Sequence, residues 1–179
     1  MTAPSIALSH FGIHVTDAPR MEDFYTRVLG LLVTDRGALP SGPTLTFLSH
    51  DPDQHHQLVL VTGRPPGVEY NVVNQISFEV PALADLKVLH ARLRQEGVKD
   101  FRIVTHGNAW SVYFPDPEGN RIELFVDTPW HTPQPFAEPF DIEAPVEAIL
   151  AETEAICRNR PGFVSRPDWR QIQVERMGV

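Results

Sequence analysis

The 179 residues are 42% hydrophobic and 21% charged, enough apolar side chain for one packed domain. Fifteen Lys and Arg against 23 Asp and Glu leave a net charge of −8 with no basic run, which makes a nucleic-acid backbone a poor ligand. No apolar run approaches a membrane span, no basic-then-apolar leader opens residues 1–5, and the single cysteine, Cys157, excludes an internal disulfide, so the expectation is a cytoplasmic protein acting on a small molecule.

Apolar positions alternate over residues 10–15, the period of a half-buried strand. After a turn at 17–19, Met21, Phe24, Tyr25, Val28 and Leu29 recur at helical spacing, with Gly30 as the helix stop. Strands are predicted at 45–49 and 56–61, on either side of the Asp51-Pro52-Asp53 turn. The series then returns. A strand at 75–80 precedes a helix carrying Leu83, Leu86, Leu89, His90 and Leu93, which stops at Gly97. Strands at 111–114 and 120–125 flank the turn Asp116-Pro117-Glu118-Gly119-Asn120.

Residues 75–80 repeat residues 10–15 sixty-five positions on, and residues 120–125 repeat 56–61 sixty-four positions on. Near-equal offsets at both ends point to duplication of one strand–helix–three-strand unit. The fold expected for residues 1–127 is therefore α+β, with two βαβββ modules forming a cupped mixed sheet that binds a metal. Residues 128–179 form a separate arm. Pro129, Pro133, Pro135, Pro139 and Pro145 keep its first part extended. A helix follows at 146–158, with Ile149, Leu150 and Ile156 on its apolar side and Glu147, Glu152 and Glu154 towards water. Trp130, Phe136, Phe140, Phe163 and Trp169 argue that the arm is packed, either over the site or against a second subunit in a homodimer.

The duplication aligns His10 with Gln75 and Val59 with Glu123. If the halves pair about a pseudo-twofold axis, these four positions converge on one cavity. An imidazole, an amide carbonyl and a carboxylate suit a divalent first-row metal, and Val59 leaves the fourth place blank. Glu123 interrupts Ile122, Leu124 and Phe125, and a carboxylate facing a core needs a partner. His14, four residues after His10 on the same strand face, lines the cavity or serves as a spare ligand.

Ser9-His-Phe-Gly-Ile-His-Val15 with Phe24-Tyr-Thr-Arg-Val-Leu-Gly-Leu31, and Val112-Tyr-Phe-Pro-Asp-Pro-Glu-Gly-Asn-Arg-Ile-Glu-Leu124, resemble the opening and closing motifs of the vicinal-oxygen-chelate superfamily. That superfamily holds glyoxalase I, methylmalonyl-CoA epimerase, fosfomycin and bleomycin resistance proteins and type I extradiol dioxygenases. The resemblance spans residues 6–127 and implies a glyoxalase-like fold. His55-His56-Gln-Leu-Val-Leu60 resembles the paired-His strand of the extradiol enzymes, which implies that His56 is an acid/base. Tyr113 stands where those enzymes carry a substrate-binding tyrosine, and His106 resembles the histidine that stabilises a bound catecholate, at a shorter spacing. Phe47, Trp110 and Phe114 are candidate wall residues.

The resemblance implies a metal-dependent, extradiol-type dioxygenase that cleaves a catechol-like aromatic with O₂ at Fe(II). Gln75 departs from the pattern, because a second histidine ligand is expected there. The harder amide donor moves the preference towards Mn(II) or Mg(II), and Zn(II) is also admitted. Gln75 favours an isomerase or lyase of the glyoxalase I or epimerase type, whereas the empty fourth position favours the dioxygenase. A non-catalytic binder is the third reading.

Overall fold

The computed structural model describes residues 7–67 and 71–178. The opening residues 1–5, read above as lacking a leader, lie outside that description. Two compact units emerge, Met1–Val72 with Asp116–Gly119, and Val73–Pro115 with Asn120–Val179.

In the first unit, β1 (Phe11–Val15) leads to α1 (Ala18–Asp23), a π-helical turn (Phe24–Val28), β2 (Leu32–Ala38), β3 (Thr44–Ser49) and β4 (Leu58–Thr62). The sheet order is β1-β4-β3-β2, with β1 parallel to β4 and the other pairs antiparallel. Asp17 caps α1 by accepting from the Arg20 N–H at 3.1 Å, and a proline lies in the first turn. The helix expected to run on to Leu29 widens instead, its Leu29 N–H reaching Phe24 O at 3.2 Å. The wider turn buries Phe24, Tyr25 and Val28 together. Gly30, at φ +84°, ends the element as expected.

The Asp116–Gly119 turn is held inside this unit by polar contacts. Tyr25, fully buried, donates its hydroxyl to Asp116 Oδ2 at 2.9 Å. One Glu118 carboxylate oxygen accepts the Thr16 and Asp17 N–H groups, both at 2.7 Å. The other lies 3.3 Å from Arg64 Nη1. Burial, followed by the Asp116 carboxylate, holds the Tyr25 phenol well above its ordinary pKa, so the hydroxyl remains a donor.

The second unit repeats the series with β5 (Ile76–Glu79), α2 (Leu83–Gln95), β6 (Arg102–Thr105), β7 (Ala109–Pro115) and β8 (Arg121–Asp127). Then follow β9 (Trp130–His131), β10 (Glu138–Pro139), α3 (Val146–Arg158), β11 (Val164–Ser165) and α4 (Arg166–Met177). The sheet order is β10-β6-β7-β8-β5, and β9 pairs with β11 as a separate ribbon. The duplication holds residue by residue. Phe11 faces Leu58 and Gly12 faces Val59 in the first unit, as Ile76 faces Ile122 and Ser77 faces Glu123 in the second.

α3 keeps the predicted bounds but buries a different stripe. Ile149, Thr153 and Cys157 face inward at four-residue spacing, whereas Leu150 and Ile156, expected on the apolar side, are exposed. Thr153 belongs inside because its hydroxyl accepts the Trp110 Nε1–H at 2.9 Å. The arm thus packs on its own unit. Among the described residues no helix is long and apolar enough to cross a membrane.

His90 on α2 is buried against Phe101, and burial lowers its pKa from 6.5, partly opposed by Glu143. The unfolded chain then binds the proton more readily than the folded one, so stability falls as pH drops below 6.5 towards the folded-state value. His90→Leu is expected to flatten that slope in urea midpoints measured across the same window. An unchanged slope would mean that other groups, such as His131, whose pKa burial also lowers, carry the dependence.

Candidate active site

In the second unit, Glu123 sits at the middle of β8 and is 7% exposed. Strand alternation sends Ile122, Leu124 and Val126 into the buried core and Glu123 to the opposite face, beside its cross-strand neighbours Tyr113 and Ser77. A carboxylate so buried needs donors, and it has them. Gln75 Nε2 donates to Oε2 at 2.8 Å and Ser77 Oγ at 2.5 Å. Tyr113 faces Glu123 directly across the strand pair, and its pKa is pushed up to about 12, first by burial and then by that carboxylate. His106 Nε2 lies 2.9 Å from the Tyr113 hydroxyl, and His106 Nδ1 lies 2.7 Å from Phe136 O. Gln75 and Ser77 thus bond Glu123, His106 bonds Tyr113, and Tyr113 and Glu123 are cross-strand neighbours.

Trp110 and Phe114, expected to wall a substrate pocket beside Tyr113, point to the other face of β7. Trp110 is 2% exposed, lies against Trp130 and bonds Thr153, while Phe114 lies against Phe101 in the core. The period of two accounts for the difference, because residues 110 and 114 cannot share a face with 113.

The first unit carries a second cluster. The His10 and His56 rings lie 4.1 Å apart between centroids, and Phe47 packs on His56 at 5.1 Å. His55 Nδ1 meets His56 Nδ1 at 2.8 Å, and His55 Nε2 lies 3.8 Å from Asp35. Desolvation, and then the neighbouring His10 and His55, lower the His56 pKa from 6.5. His14 is exposed. Val59 and Phe47 occupy the register positions that Glu123 and Tyr113 hold in the second unit. At the register position of Glu123 the first unit therefore carries Val59 in place of a carboxylate, with imidazoles beside it.

The donor set is chemically suited to a metal. With its Nε2 turned to Glu123, Gln75 keeps its amide oxygen for a cation, and two donors, Gln75 and Ser77, orient the Glu123 carboxylate. Among the described residues no three His, Cys, Asp or Glu side chains group as a metal site. Sequence reasoning missed Ser77, Gln134 and Phe136. Alternation from Gln75 could have found Ser77, whereas nothing local marks the two arm residues. Ser77→Ala is expected to weaken metal binding about tenfold, because the freed carboxylate loses its orientation. Titration of metal into the stripped protein reads the change, and equal affinities would remove Ser77 from the site.

The Glyoxalase/Bleomycin resistance protein/Dioxygenase superfamily model matches residues 7–124. Biphenyl-2,3-diol 1,2-dioxygenase 3 of Rhodococcus globerulus is 32% identical over 67% of this chain and 63% of its own length. The match therefore spans less than two thirds of that relative. A glyoxylase/bleomycin resistance protein/dioxygenase domain from Frankia sp. EAN1pec superposes with a TM-score of 0.59 at 21% identity, over 69% of this chain and 99% of its own. The glyoxalase I of Leishmania major superposes with a TM-score of 0.54 at 26% identity, over 68% of this chain and 87% of its own. The βαβββ modules thus follow a glyoxalase-like fold.

Proposed function

Given that the chain belongs to the Glyoxalase/Bleomycin resistance protein/Dioxygenase superfamily, we propose that it is a metal-dependent, extradiol-type dioxygenase that cleaves a catechol-like aromatic with O₂. The observation that carries this reading is the His106–Tyr113 hydrogen bond beside Glu123, two groups able to hold phenolic oxygens next to a buried carboxylate. The 32% identity to a biphenyl-2,3-diol dioxygenase supports it.

In this reading His10, Gln75 and Glu123 hold the metal, with Fe(II) first and Mn(II), Mg(II) or Zn(II) admitted by the amide ligand. Bound there, a divalent metal supplies Lewis acidity and, as iron, one-electron chemistry with O₂. Tyr113 and His106 hold the substrate oxygens. The high pKa of Tyr113 keeps it a neutral hydroxyl that can donate without competing for the charge. His56 takes a proton from a substrate hydroxyl and returns it to the opened product. Its Nδ1 is engaged by His55, so Nε2 is the nitrogen left for that transfer. Because its pKa is lowered, the ring stays neutral and able to accept near neutral pH.

A metal-dependent isomerase or lyase is the second reading, favoured by Gln75 as an amide ligand. One experiment separates them: metal analysis of protein purified without oxygen, followed by O₂ uptake with a panel of catechols. Stoichiometric iron with O₂ consumption and a yellow product supports the dioxygenase. Another divalent metal without O₂ uptake transfers the case to the isomerase.

A further inference from the structure

The loop between β6 and β7 carries His106, and it is tied down on several sides. The His106 N–H reaches Ala109 O at 2.8 Å, and the Thr128 hydroxyl donates to Gly107 O at 2.9 Å. Gly107 has φ +75°, and a Cβ on it would come within 2.2 Å of Thr132 Cγ2 and 2.9 Å of Cys157 Sγ, so arm and helix press directly on this loop. Gln134 joins the loop to the arm. Its Nε2 donates to His106 O at 2.6 Å and to Asn108 Oδ1 at 3.2 Å, while its Oε1 accepts the Phe136 N–H at 3.1 Å. β10 continues the arm as an added strand on β6, with Glu138 facing Thr105. The Phe136 carbonyl is thereby delivered to His106 Nδ1 at 2.7 Å.

A carbonyl only accepts, so Nδ1 must carry the hydrogen and Nε2 is the nitrogen that meets the Tyr113 hydroxyl. We propose that Gln134 is a positioning residue which, by clamping the arm to the loop, makes the Phe136 carbonyl select the Nδ1–H form of His106 and so aims Nε2 at Tyr113. The arm then acts on the site through a backbone carbonyl. Its importance for turnover rests on the function proposed above. The tautomer itself does not.

The test uses the full chain labelled with ¹⁵N-histidine, without metal or substrate, and reads the two ring nitrogens of His106 by NMR, assigned through loss of the signal in His106→Asn. The wild type is expected to show Nδ1–H. Gln134→Met keeps the side-chain length and removes the hydrogen bonds, and it is expected to lose about half or more of that form. Gln134→Glu still accepts the Phe136 N–H but can no longer donate to His106 O and Asn108 Oδ1, and it is expected to lose that form as well. A wild type in the Nε2–H form, or an Nδ1–H form untouched in Gln134→Met, overturns the proposal. Should Gln134→Met fail to fold, by near-UV circular dichroism, Gln134→Ala is read in its place by the same criterion. If the protein turns over catechols, Gln134→Met and Gln134→Glu each lower kcat/KM about tenfold. The tautomer result stands even if no catechol is cleaved, so failure of the dioxygenase reading and failure of this proposal remain distinguishable.

Discussion

His56→Ala is expected to leave bound metal unchanged and to lower kcat for ring cleavage by about 10³-fold, within the range a positioned acid/base contributes. The expectation rests on the surroundings of the ring. His56 lies against His10 and Phe47, its Nδ1 is hydrogen-bonded by His55, and its pKa is lowered by desolvation and then by the two neighbouring imidazoles. A ring so placed is mostly neutral near pH 7 and has one nitrogen free. Stopped-flow absorbance of product formation, with metal content measured on the same samples, reads both quantities. Equal turnover would remove His56 from proton transfer. Loss of the metal would instead make it a ligand.

Glu118→Ala is expected to cost about 3 kcal/mol of stability, the order seen when one member of a buried, hydrogen-bonded ion pair is removed. Its carboxylate accepts two N–H groups at the start of α1 and faces Arg64, with the Glu118 side chain 9% and the Arg64 side chain 17% exposed. Alanine leaves the Thr16 and Asp17 N–H groups without this acceptor and Arg64 without its carboxylate partner, although Arg64 keeps Glu118 O and Asn71 Oδ1. Glu118→Gln keeps an oxygen for the N–H groups and loses only the charge, so it is expected to cost about half as much. Urea unfolding of both variants decides the matter. A Glu118→Ala midpoint equal to that of the wild type would show that water replaces the carboxylate without penalty.

Where side chains alternate between a core and an open face, the sequence was readable. The paired offsets led directly to two modules, and the register confirms them down to individual residues, with Gly12 opposite Val59 as Ser77 is opposite Glu123. Glu123 stood out because a charge among Ile122, Leu124 and Phe125 requires partners, and the structure supplies Gln75 and Ser77. The strands β2 and β6 were not singled out. β2 carries Asp35 and Arg36 and is largely exposed, so no apolar alternation marks it. α4 has no buried residue and hence no stripe to read. On α3, Thr153 displaced the expected Leu150 and Ile156, because a hydroxyl facing the Trp110 indole is decided by a partner far away in the chain. Gln134 and Phe136 were invisible for the same reason. What they do depends on a carbonyl and an amide meeting a loop 28 residues earlier or more, and no local pattern encodes that.

The first unit is also interrupted in sequence, for its Tyr25 hydroxyl and the N–H groups of Thr16 and Asp17 take their acceptors from Asp116 and Glu118. During synthesis, a chain released from the ribosome only as far as Val72 holds all four strands of that sheet but leaves those donors unmatched. The N-terminal half therefore waits for the second half to be translated before it can settle. A gene split after residue 72 would yield a first fragment dependent on a supplied 116–119 turn, and a nascent-chain protease assay would show resistance arising late, once residue 119 has emerged.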